Sequence, residues 1–176
     1  MTSARVALAK ASGVVLLAAS LGGCTMTSLP HHQVERPLSS ESLVEVQRVV
    51  KAIEVELASF VPDDVTIRVE EKTGGSISDC APGGVSWGSS TIVRVVEQPD
   101  FANVADALMD GWSRADEFEI DLTETRKGEQ RLVLRSAELG SYHFRRFDDA
   151  VQVLSFSTCF AYDEERDGYA WEIFAE

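Results

Sequence analysis

Three cysteines set the terms for this chain, and two of them constrain its fold more than any other residues. Cys24 ends an N-terminal segment in which Arg5 and Lys10 precede the unbroken apolar and small-residue stretch 11–21. That order and length are those of a signal-peptide core, and the stretch is too short to cross a bilayer. With Cys24 assigned to the export segment, Cys80 and Cys159 remain, and an even count in an exported chain predicts a disulfide. Such a bond closes a loop of 80 residues, for which loop-closure entropy alone assigns roughly 4–5 kcal/mol. The fold must therefore bring the middle of the chain against a segment near its end. Two free thiols in redox or metal chemistry are the alternative. It is disfavoured because neither cysteine lies in a Cys-x-x-Cys pair or beside a histidine.

The run Leu21-Gly22-Gly23-Cys24 resembles a bacterial lipoprotein signal. In that signal a diacylglycerol is added to the cysteine sulfur, the peptide is cut just before the cysteine, and the new amino group can be acylated. The resemblance implies a signal peptide over 1–23 and lipidation at Cys24; an ordinary secretory signal is the competing reading. Residues 24–38 carry Pro30, Pro37 and the pair His31-His32 without apolar periodicity, and read as an acylated N-terminus and flexible tether. Two adjacent histidines with no third ligand at suitable spacing read as solvated polar residues, so no metal is expected there. Residues 39–176 read as one globular domain. Removal of 1–23 leaves 153 residues with 14 Lys and Arg against 29 Asp and Glu, a formal charge of −15. So acidic a surface is repelled by nucleic acid and by anionic head groups, so acyl chains rather than charge must hold the chain to a membrane.

Periodicity organises the domain. Ser42 and Glu45 have the spacing of a capping box, and Leu43, Val46, Val50, Ile53, Leu57 and Phe60 follow at steps of three or four, which predicts an amphipathic helix. Pro62-Asp63-Asp64 stops it, and residues 65–70 alternate as a half-buried strand does. Residues 73–84 read as a loop carrying Cys80, and 87–97 as a β-branched strand. Asp100 caps a second predicted helix with Phe101, Ala105, Leu108 and Trp112 on one side. Strands at about 118–122, 131–136, 142–147 and 151–161 then form an antiparallel meander, with a short last strand at 169–174. The expectation is an α+β two-layer sandwich: an antiparallel sheet, two amphipathic helices on one face, and one disulfide. The βαβ alternation of a doubly wound nucleotide-binding fold is missing.

These features together resemble the small actinobacterial cell-envelope lipoproteins of the mycobacterial LppA type. The residues that carry the likeness are Leu21 to Cys24, the helix after Ser39, Ser78-Asp79-Cys80-Ala81-Pro82-Gly83-Gly84, Trp112, and Leu154-Ser155-Phe156-Ser157-Thr158-Cys159. The resemblance implies an envelope location and a crosslinked α+β domain rather than a reaction. The acidic segment 162–176 departs from the pattern and reads as an added element.

Chemistry-bearing motifs are scarce. Outside the tether the only histidine is His143, and there is no Gly-x-Ser-x-Gly, no phosphate loop leading into Lys-Ser/Thr, and no His-Glu-x-x-His. Paired carboxylates can run glycosidase chemistry, but 29 acids supply pairs by chance, and Glu119 and Asp121 sit at solvent-facing strand positions. Asp163, Glu165, Asp167 and Gly168 match four places of a calcium loop, yet Phe174 stands at the twelfth, where a bidentate Glu is required. Trp87, Trp112, Trp171, Phe101 and Phe118 have helical or strand spacing and read as core rather than as a ligand groove. The expectation is a non-enzymatic, membrane-anchored extracytoplasmic lipoprotein without a cofactor, binding an envelope protein or glycan and no nucleic acid. A carboxylate-based cell-wall glycan hydrolase and a carrier of small apolar ligands are the alternatives.

Overall fold

The computed structural model describes residues 38–169. Cys24, His31-His32, Trp171 and the strand expected at 169–174 lie wholly or mainly outside them. The elements are α1 (Leu43–Ala58), β1 (Thr66–Glu71), β2 (Ser76–Ala81), β3 (Gly84–Val95), α2 (Phe101–Gly111), β4 (Glu119–Glu124), β5 (Gln130–Ser136), β6 (Gly140–Phe147), β7 (Ala150–Phe156), β8 (Phe160–Ala161) and α3 (Glu164–Asp167). All eight strands join one sheet, in the order β1-β3-β7-β6-β5-β4, with β2 and β8 also on β3. Every strand pair is antiparallel, which makes the domain α+β as expected.

Local chemistry starts both long helices. The Ser42 hydroxyl accepts from the Glu45 amide at 3.3 Å while the Glu45 carboxylate accepts from the Ser42 amide at 2.9 Å, the reciprocal bonds of a capping box. A further orphan donor of that first turn, the Leu43 amide, bonds the Asp167 carboxylate at 2.9 Å, so α3 docks on the start of α1. The Asp100 carboxylate caps α2 through the Ala102 amide at 2.9 Å. Trp112 is not a helical residue but follows Gly111 as the C-cap, its amide still bonded to Leu108.

Directly opposed residues in an antiparallel ladder project to the same side. Thr91, Val93, Ser155, Val153, Val151, Tyr142, Phe144, Leu132 and Leu134 therefore form one set. Phe101 of α2 meets Phe144 edge-on at 6.0 Å between ring centres, Phe118 meets Tyr142 at 5.8 Å, and Glu54 of α1 reaches Thr91 and Ser155. Ile53, Leu57, Phe101, Leu108 and Phe144 are fully buried in this layer, each side chain contributing roughly 1.5–3 kcal/mol of transfer free energy.

Two expectations are corrected around β3. The segment read as a loop at 73–84 holds β2, which continues the edge begun by β1. Glu71 pairs with Thr91 and Ser76 with Gly88, so residues 72–75 bulge and leave Ser89 and Ser90 without a partner on that side. Only Ile77 of β2 packs on the core, which is why no apolar alternation marked it as a strand. On the other side of β3, the single strand expected at 151–161 is split. Phe156 pairs with Gly88 and Phe160 with Val85, and the extra residue displaces Cys159 from the ladder. Cys159 there meets Cys80, as the cysteine count predicted, with α-carbons 6.0 Å apart. Gly84 lies beneath this bond: a β-carbon on it would fall 2.7 Å from the Cys159 sulfur. Asp163 to Asp167, where the partial calcium-loop match falls, form an Asp163 cap and the short helix α3.

Candidate functional site

Glu54 is the one charged residue buried with no exposure on the described helices and strands, and it sits on the apolar face of α1 between Val50 and Leu57. Its carboxylate accepts from Thr91 Oγ1 at 3.0 Å, from Ser155 Oγ, and from Lys51 Nζ at 3.2 Å. Lys51 also donates to the Lys72 carbonyl in the bulge and lies 5.7 Å from the centre of the Trp87 ring. The Trp87 indole N–H and the Ser89 hydroxyl complete this polar patch without hydrogen-bond partners. A serine bonded to a carboxylate looks like part of a nucleophilic site. Both groups are sealed from solvent, however, and no histidine stands between them, so the cluster is a buried ion pair satisfied by hydroxyls.

The residues that project to the second side of the sheet form a different surface. By register these are Gly88, Ser90 and Ile92 of β3; Gln152, Leu154 and Phe156 of β7; Ser141, His143 and Arg145 of β6; Arg131, Val133 and Arg135 of β5; and Asp121 of β4. His143 is half-buried, with its ring edge-on to Phe156 at 6.0 Å. Burial first, then the guanidinium groups of Arg145, Arg135 and Arg131, hold its pKa below the usual histidine value. Three clefts open around this surface. One of about 680 Å³ runs from the bulge to Ser90, Gln152, Leu154 and the 37 % exposed Phe156. A second of about 770 Å³ lies beside the disulfide, with Glu41, Glu119 and Glu138 on its wall. The third, of about 900 Å³, is lined by Gln98, Gln130, Arg131, Arg145 and Arg146.

Most residues singled out in the sequence are structural. Trp87, Trp112, Phe101 and Phe118 are buried. Asp163 caps α3 through the amides of Glu165 and Arg166, and Asp167 is held below the usual carboxylate range: burial opposes ionisation, but bonds from Arg166 and the Leu43 amide outweigh it. Among the described residues no three His, Cys, Asp or Glu side chains converge as metal ligands, and no helix is long and apolar enough to cross a membrane. Sequence reasoning passed over Glu54, Arg131 and Arg145. Glu54 was detectable, being four residues after Val50 and three before Leu57 on the apolar stripe; the arginines were not, because only register puts them together.

No family model and no curated protein matches the chain. Among solved structures it is similar to a DUF4853 family protein from Actinomyces odontolyticus, at 14% identity and a TM-score of 0.49, over 73% of this chain and 74% of that one.

Proposed function

We propose that this chain is a lipoprotein acylated at Cys24, held on the extracytoplasmic side of the cell membrane, whose folded domain binds an envelope component without catalysing a reaction. The observation that carries the anchoring is the run Leu21-Gly22-Gly23-Cys24 after a basic flank and a short apolar core. The Cys80–Cys159 disulfide supports it, since such bonds persist in oxidising compartments. We read both helices as covering the Thr91–Phe144 side of the sheet, a view supported by the contacts of Glu54 and Phe101, which leaves the His143 side for a partner. The test is mass spectrometry of the chain from envelope fractions of its host, compared with Cys24→Ala. A mature N-terminus at an acylated Cys24, with release of the variant from the membrane, is expected. An unmodified terminus upstream of Cys24 refutes the proposal.

A further inference from the structure

In a chain with 29 acids and 16 bases, the arginines divide into those that meet a carboxylate and those that do not. Arg68, Arg94, Arg114, Arg135 and Arg166 all form ion pairs. Among the described residues, Arg48, Arg126, Arg131, Arg145 and Arg146 meet no such partner, and of these Arg131, Arg145 and Arg146 line the third cleft. Arg131 and Arg145 sit on adjacent strands, one step beyond the Leu132–Phe144 pair, on the same side of the sheet as His143. Like charges placed so close across a ladder repel, and both lower the pKa of His143. Both line the third cleft, where two buried polar atoms also lack hydrogen-bond partners: the Arg145 Nε donor and the Gln98 Oε1 acceptor. The Gln98 amide nitrogen is fixed by the carbonyls of Phe147 and Ala150, and its oxygen is sealed from solvent in the wall of the cleft.

We infer that the cleft between Arg131, Arg145 and Gln98 is a binding site for a phosphate group. Two guanidinium forks supply the charge and donor geometry for oxyanions. A phosphomonoester carries about −1.5 to −2 at neutral pH, matching two arginines. A carboxylate has one charge at that pH. The exposed carboxylates on the rim, Glu124, Glu129 and Asp148, pair with neither arginine and oppose any anion at a distance, so binding depends on direct contact with the two guanidinium groups. This deepens the binding reading above and takes from it where the ligand is met; the chemistry of the site stands apart from the anchor.

The experiment follows the His143 ring protons by NMR in the acylated chain held in non-ionic detergent, with inorganic phosphate, glycerol phosphate, a short-chain phosphatidic acid, and acetate as separate titrants. A phosphate bound at Arg131 and Arg145 screens the charges that suppress protonation of His143, so its pKa rises on saturation. Arg131→Gln and Arg145→Gln each weaken phosphate binding about tenfold or more, the scale of one charge-assisted hydrogen bond, while Arg68→Gln changes it less than about twofold. Tighter binding of the phosphatidic acid identifies a head group as the source, and equal affinities identify a soluble phosphate; either supports the site. Acetate binding as tightly as phosphate, or a His143 titration that phosphate leaves unmoved, overturns it, and the latter is read on the unsubstituted chain. An unacylated Cys24 in the host would remove the proposed location and leave these titrations unchanged.

Discussion

Replacing Glu54 by alanine tests the account of the core most severely. The carboxylate is fully buried and accepts from Thr91, Ser155 and Lys51. Its loss leaves Thr91 Oγ1 unpaired, while Ser155 keeps a 3.2 Å bond to the Ser89 carbonyl and Lys51, 22% exposed, keeps the Lys72 carbonyl. An unpaired buried polar group costs roughly 1–3 kcal/mol and the vacated side-chain volume adds to that, whereas Lys51, partly exposed and still bonded to the Lys72 carbonyl, is not left as a buried unpaired charge. Set against the roughly 5–15 kcal/mol by which domains of this size are stable, Glu54→Ala should move the urea midpoint far down with an unchanged slope. Glu54→Gln, which keeps an acceptor and loses the charge, should cost less. The combination Glu54→Leu, Thr91→Val and Ser155→Ala removes the carboxylate and its two hydroxyl partners together while Lys51 keeps the Lys72 carbonyl, and should lie within about 1 kcal/mol of the parent or above it. A loss under about 1 kcal/mol for Glu54→Ala, or a triple variant as unstable as that single one, would refute the reasoning.

Cys80→Ser with Cys159→Ser should lower stability by roughly 4 kcal/mol, the loop-closure figure for a separation of 79 residues, read as the difference in urea midpoint between the variant and the oxidised parent. Gly140→Ala should cost roughly 2–4 kcal/mol, because its φ is +86° and an added β-carbon would fall 2.1 Å from the Phe156 carbonyl oxygen; a variant that melts with the parent refutes that. With its folded pKa below the unfolded value of about 6.5, His143 makes the unfolded chain the first to take up a proton as pH falls. Its contribution is intact above that pH and is lost as pH drops through the folded pKa, so His143→Phe should flatten the stability–pH curve on the acid side of neutrality, and parallel curves would count against the assignment.

Elements that carry their own signal are legible in the amino-acid sequence. The Ser42–Glu45 box and the Leu43-to-Leu57 stripe fix α1, Asp100 fixes the start of α2, and alternation marks β4, with β5 following from the turn after it. The misreadings share one cause: an edge or interrupted strand is defined by its partner rather than by its own side chains. Ser76 to Ala81 offers one inward apolar residue, and nothing in Ser157-Thr158-Cys159 announces a break between β7 and β8. For the same reason the cysteine pairing was readable from a count, whereas the Arg131–Arg145–His143 neighbourhood depends on three strands coming into register.

The position of Ser39 has a mechanical consequence. Its amide donates to the Cys159 carbonyl at 3.2 Å and its carbonyl accepts from Ala161 at 2.9 Å, and Leu38 occupies the space over Gly84 next to the disulfide. Tension arriving along the chain from its N-terminal side therefore meets a backbone clip, in shear, at the covalently crosslinked corner before it reaches the first turn of α1. Through β8 and the disulfide, that corner is tied in turn to β3, the longest of the described strands.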